Sequence, residues 1–102
     1  MIFLSGIVPN DFRREVTATP AEFERDLRKA WPAGVVMTAP GRFELGDGAL
    51  RLAISITPGD VRRLGLFALP TLHVHYRFSG DDEAARHRML TKLDRAMQRG
   101  GG

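Results

Sequence analysis

Two stretches of strict alternation constrain this chain more than any other feature of it. In residues 49–57, Leu50, Leu52, Ile54 and Ile56 alternate with Arg51, Ala53, Ser55 and Thr57. In residues 71–78, Leu72, Val74, Tyr76 and Phe78 alternate with Thr71, His73, His75 and Arg77. A period of two sends each set to one face of a strand, so both stretches are expected to be strands with one apolar and one polar side. An apolar sheet face must be covered, and the amphipathic segments flanking this region are the helices to cover it.

The first of those helices has the strongest local signal in the chain. Thr19 is an N-cap, Pro20 occupies the first helical position and Glu22 stands where a capping box needs it. Ala18 and Phe23 take the hydrophobic-staple positions. Phe23, Leu27, Ala30 and Trp31 recur at helical spacing as one apolar stripe, and Pro32 and Gly34 end the helix. The last helix opens at Asp81-Asp82-Glu83, with Ser79 or Asp81 as cap and the acids at the positive end of the dipole. Its buried face is expected to hold Leu90, Leu93 and Met97, with Arg86 a turn earlier and Met89 and Ala96 in support. Gly100-Gly101-Gly102 forms a loose tail.

The remaining strands are shorter. Residues 2–8 and 12–18 pair as a hairpin, the second placing Phe12, Val16 and Ala18 on one face with Arg14 interrupting. Residues 35–38 form a buried strand, Ala39-Pro40-Gly41 a turn, and residues 42–45 a strand with Phe43 and Leu45 inward. Gly46-Asp47-Gly48 makes the hairpin turn into the long strand that follows. Residues 61–67 are an edge strand or a short turn of helix, because Arg62-Arg63 and Gly65 weaken any strand there, and Ala68-Leu69-Pro70 breaks it. The expected fold is a two-layer α+β sandwich: a curved antiparallel sheet of about five to six strands with two helices on one face. This order resembles helix-grip and TBP-like folds in outline. A ferredoxin-like fold is the alternative, and it needs a second helix from residues 58–67.

With 102 residues, 43% of them hydrophobic, the chain suits one domain around one core. The absence of cysteine excludes disulfides, thiolate metal sites and cysteine nucleophiles, and suggests a reducing compartment. The formal charge is +3, yet the acids are interspersed with the bases and only Lys29 and Lys92 are lysines. That arginine excess is also what a GC-rich genome produces, so it does not by itself indicate nucleic acid. The apolar N-terminus has no basic leader and is broken at Ser5-Gly6, which points to a strand rather than a signal peptide and to a cytoplasmic protein without a membrane segment.

No stretch assembles a catalytic constellation, and neither an enzymatic activity nor a cofactor is expected. His73 and His75 share a strand face, a metal-ligand arrangement whose third ligand could be His87 on the last helix or a carboxylate such as Glu44, but Arg77 alongside repels a cation and no metal site is assigned. Three binding functions follow from the pattern. A protein-interaction module would form a homodimer through the outer sheet face or an edge. A small-ligand binder, which the helix-grip resemblance implies, would line a cavity between sheet and helices with Trp31, Leu93 and Met97. A nucleic-acid or anion binder would use His73, His75 and Arg77 on the sheet or the stripe of Arg88, Lys92, Arg95 and Arg99 on the last helix.

Overall fold

The two alternating stretches become β4 (Leu50–Pro58) and β7 (Thr71–Ser79), which pair antiparallel at the middle of the sheet. Leu52 stands opposite Phe78, Ile54 opposite Tyr76 and Ile56 opposite Val74. Directly opposed residues share a face, so two apolar stripes merge into one apolar surface. The computed structural model describes residues 7–80 and 82–97. Around the central pair lie β1 (Asp11–Thr17) beside β7, then β3 (Arg42–Asp47) and β2 (Val36–Ala39) beside β4. The five strands run in the order β1-β7-β4-β3-β2, every neighbour antiparallel.

Both helices, α1 (Pro20–Ala30) and α2 (Glu83–Met97), close the apolar side. Phe23, Leu27, Ala30 and Trp31 from the first region, and Ala85, Met89, Leu90 and Leu93 from α2, join Phe43, Leu52, Ile54 and Val74 in one continuous core. The Phe23 and Phe43 rings lie 6.5 Å apart, which seats α1 on β3. The α1 cap forms as the sequence specifies: the Thr19 hydroxyl accepts from the Glu22 amide at 3.1 Å, and the Glu22 carboxylate accepts from the Thr19 amide at 2.9 Å. None of the helices described is long and apolar enough to cross a membrane.

Several expectations are corrected. The predicted strand 2–8 falls almost wholly outside the described residues, and Ile7 and Val8 are not strand; the described partner of β1 is β7. Arg14 does not interrupt β1 but belongs to its inward face with Phe12 and Val16, because all three oppose inward residues of β7. The strand predicted at 35–38 is an exposed edge rather than buried: helix cover stops short of β2, leaving Val36 62% exposed. The turn into β4 lies at Gly48-Ala49, since Asp47 pairs with Leu50 and Gly48 takes a φ of +62°. α2 is capped not by Ser79 but by the Asp82 carboxylate, which accepts from the Ala85 amide at 3.1 Å; the other predicted cap, Asp81, lies outside the described residues. Ala96 is exposed, and the predicted glycine tail lies outside the described residues.

The region 61–67 gave the largest surprise. It is neither a single strand nor a helical turn but half of a hairpin, β5 (Arg62–Leu64) and β6 (Phe67–Leu69), forming its own two-stranded sheet. Gly65, the residue that weakens a strand, instead supplies the positive φ (+58°) at the first central position of a two-residue turn.

α2 is fastened to β1 by Arg14, whose two terminal nitrogens donate to the two Asp94 oxygens at 2.8 and 3.1 Å. The guanidinium lies 5.3 Å from the Phe12 centroid and 5.4 Å from that of Tyr76, over two rings stacked 4.8 Å apart. Burial opposes the Arg14 charge, but the hydrogen bonds and attraction to Asp94 outweigh it and raise its pKa. Burial likewise pushes the Tyr76 hydroxyl upward, with Arg14 pulling against it. Arg14→Met is expected to cost about 2 kcal/mol in urea denaturation, since it leaves a half-buried carboxylate unpaired. Asp94→Leu in the same background should recover at least about 1 kcal/mol of that loss. Purely additive losses would show that the pair does not hold the helix.

Candidate functional site

The polar face of the sheet is built row by row from the strand register. Arg13 on β1 stands opposite His75, His75 opposite Ser55 on β4, and Ser55 opposite Arg42 on β3. One row along, Arg77 faces Ala53, which faces Glu44; one row the other way, His73 faces Thr57. The short Ala53 and Ser55 side chains, both half-buried, lie between long side chains on the flanking strands. A trough of about 510 Å³ results, with Arg13 on one wall, Arg42 and Glu44 on the other, and His73, His75 and Arg77 along it.

Where the chain leaves β4, the turn packs against His73, one of the residues lining the trough. The Gly59 amide donates to the Thr71 carbonyl at 2.8 Å, and the Thr71 hydroxyl donates to the Asp60 carbonyl at 2.5 Å. A Cβ on Gly59 would come within 2.8 Å of both His73 Nε2 and Thr71 Oγ1, so only glycine lets the turn press this closely on the imidazole.

Charge on this face is partly settled internally. His75 Nε2 lies 2.6 Å from Asp11 Oδ1, and Arg77 Nε 3.8 Å from the other oxygen. The hydrogen bond to His75 is the main cause that lowers the Asp11 pKa; slight desolvation opposes it, and the charges of His75, Arg77 and Arg13 assist. Glu15 is engaged by Arg62 of the hairpin at 2.7 Å. Arg13 and Arg42, by contrast, have no ion-pair or hydrogen-bond partner among the described residues.

Of the residues singled out from the sequence, His73, His75 and Arg77 do come together here. Arg13 and Arg42 were missed, because only the register of β1 and β3 against the central pair reveals them as neighbours of the histidines; Glu44, expected as a carboxylate near them, stands in the row next to that of His75. Arg88, Lys92 and Arg95 line a separate, shallower groove of about 540 Å³ on α2, with His87, Thr91 and Ala96; Arg99 lies outside the described residues. Of the residues expected to line a sheet–helix cavity, Trp31 and Leu93 are buried in the core and Met97 packs against it. Neither groove is lined by them. Trp31 has its Nε1 buried without a hydrogen-bond partner among the described residues, and Lys92 Nζ sits 4.7 Å above its ring. No three His, Asp or Glu side chains gather into a metal-binding group among the described residues.

Compared with protein-family models and with curated proteins, the chain matches none.

A lowered carboxylate pKa in the folded state stabilises above the unfolded value and loses that contribution as pH falls through the folded value. The Asp11–His75 contact is therefore expected to survive acidification past about pH 3.9, where an unperturbed aspartate is half protonated. Carbon-13 titration of the Asp11 carboxyl should give a midpoint below that, and His75→Ala should move it upward. A midpoint indifferent to His75→Ala would mean that the pair is not formed in solution.

Proposed function

We propose that this chain is a small protein-interaction module that pairs with a second copy of itself through the β5–β6 hairpin. The observation behind this reading is where the hairpin puts its apolar residues. Leu66, at the turn, is fully exposed and Phe67 is 72% exposed, with Leu64 and Val61 each about half exposed. Leu64 and Phe67 are directly opposite one another, so they share a face with Arg62 and Leu69 two residues away. A two-stranded hairpin of three-residue strands is marginal alone, and these side chains contribute little to the domain's own core. Apolar surface of this kind on an open-edged sheet is what association covers.

Charge supports a second copy as the partner. Arg62 is the one charged residue on the apolar face of the hairpin, and Glu15 neutralises it at 2.7 Å; Arg63 points to the reverse face, opposite Ala68. Two identical hairpins can thus approach around a two-fold axis without opposing bare charges, which is the self-complementarity that an isologous contact needs. Within this reading the fold is helix-grip in outline, supported by the pairing of β1 with the last strand and by α2 closing the same face as α1. The absence of cysteine accords with a cytoplasmic protein.

Native mass spectrometry and light scattering are expected to give a two-chain species at high micromolar concentration. Leu66→Asp and Phe67→Asp should each yield a monomer with an unchanged circular-dichroism spectrum, because neither residue belongs to the core. A wild-type monomer across that range, or a dimer that both substitutions leave intact, overturns the proposal.

A further inference from the structure

We infer that the trough on the outer face of the sheet is a binding site for a compact phosphate-bearing small molecule. Its residues make an anion site in three respects. First, the lining carries three arginines against the single carboxylate of Glu44. Two of those arginines, Arg13 and Arg42, have no partner among the described residues, so they are available without breaking a contact of the fold. Second, they stand at opposite ends of one register row, with His75 and Ser55 between them. Three strand spacings separate them by about 14 Å at the backbone. Two arginine side chains folding inward from that distance leave room for one or two phosphate groups and bring forked donors to both sides of them. Third, further donors line the same trough: the hydroxyls of Ser55, Thr57 and Thr38 and the His73 imidazole. Phosphate oxygens need several donors each, and few other ligands would use all of these.

Shape and charge also fix the size of the ligand. A volume of about 510 Å³ is that of a small-molecule site. An extended nucleic-acid strand fits less well. The aromatic residues of β7, Tyr76 and Phe78, are buried on the opposite side, so no ring stands on the outer face of that strand to stack a base. Glu44 stands at the β3 end of the neighbouring row and would repel a nucleic-acid backbone running past the trough. Within the trough, Glu44 is suited to accept from a hydroxyl or amine on the rest of the molecule.

The inference is independent of the hairpin reading, and its test distinguishes the two. Pyrophosphate serves as the probe, titrated by calorimetry at low ionic strength and followed by amide shifts. Saturable one-to-one binding is expected, with shifts confined to β4, β7 and the facing parts of β1 and β3. Arg13→Ala and Arg42→Ala should each weaken it about tenfold or more, while Arg88→Ala on α2 leaves it unchanged. None of the three should alter the oligomeric state. Absence of saturable binding overturns the inference, as does an equal loss with Arg88→Ala, which would mean diffuse attraction to a basic protein. Tighter binding of a single-stranded oligonucleotide, abolished by the same two sheet substitutions, would also overturn it and assign the trough to nucleic acid.

Discussion

Everything else in this structure depends on keeping one sheet face dry. Leu52 and Ile54 on β4 and Leu72 and Val74 on β7 are almost completely buried along the inner face of the central strand pair. Burying a side chain of this size is worth on the order of 1.5–3 kcal/mol against leaving it in water, so four of them on one face dominate any choice of topology. The chain meets the demand with two helices on one side, and that decision leaves the other side of the same strands in water. The polar face is therefore a consequence of the core: every residue on it is placed by the residue next to it that points inward.

The helices are held to that task by specific contacts at their ends as well as by apolar area. α1 starts at a reciprocal cap, and α2 is tied to β1 through Arg14 and Asp94 and to the chain before β1 through Arg86, whose Nε donates to the Val8 carbonyl at 3.1 Å. A charged pair with both side chains less than a fifth exposed adds little net stability over an apolar pair, but it fixes which strand the helix crosses. The stacked Phe12 and Tyr76 rings beneath the guanidinium make the same point sterically, since only one register of β1 on β7 brings them together.

The sequence made the core strands and the first helix legible because their signals are local and strong. Alternation over eight or nine residues survives any tertiary context, and Thr19-Pro20-Ala21-Glu22 encodes its own hydrogen bonds. Where the reading failed, the deciding physics was not local. Arg14 looked like a break in a strand because its partner, Asp94, is 80 residues away. Val36 and Met37 looked buried because a short apolar run reads the same whether a helix reaches it or not. The hairpin at 62–69 was obscured by Gly65, whose positive φ serves a turn and whose cost in a strand is the same residue property seen from the other side. For the trough, His73, His75 and Arg77 were visible as one face of one strand. Arg13 and Arg42 were not, since their membership depends on strand order, which alternation does not encode.

The two surfaces left after the core is built are linked by one contact. Glu15 shares its row with His73 and would place a negative charge at the edge of the trough. Arg62 of the hairpin takes that charge up at 2.7 Å. With the hairpin seated, the acids nearest the trough at its β1 edge are both engaged, Asp11 by His75 and Glu15 by Arg62, and the arginines set its sign. Lifting the hairpin would free Glu15 beside His73 and reduce the positive surplus at that end. An exposed ion pair contributes little to stability, so the role of Arg62–Glu15 is better sought in what it does to its surroundings. What it does there is electrostatic: it offsets the Glu15 charge at the β1 edge of the trough.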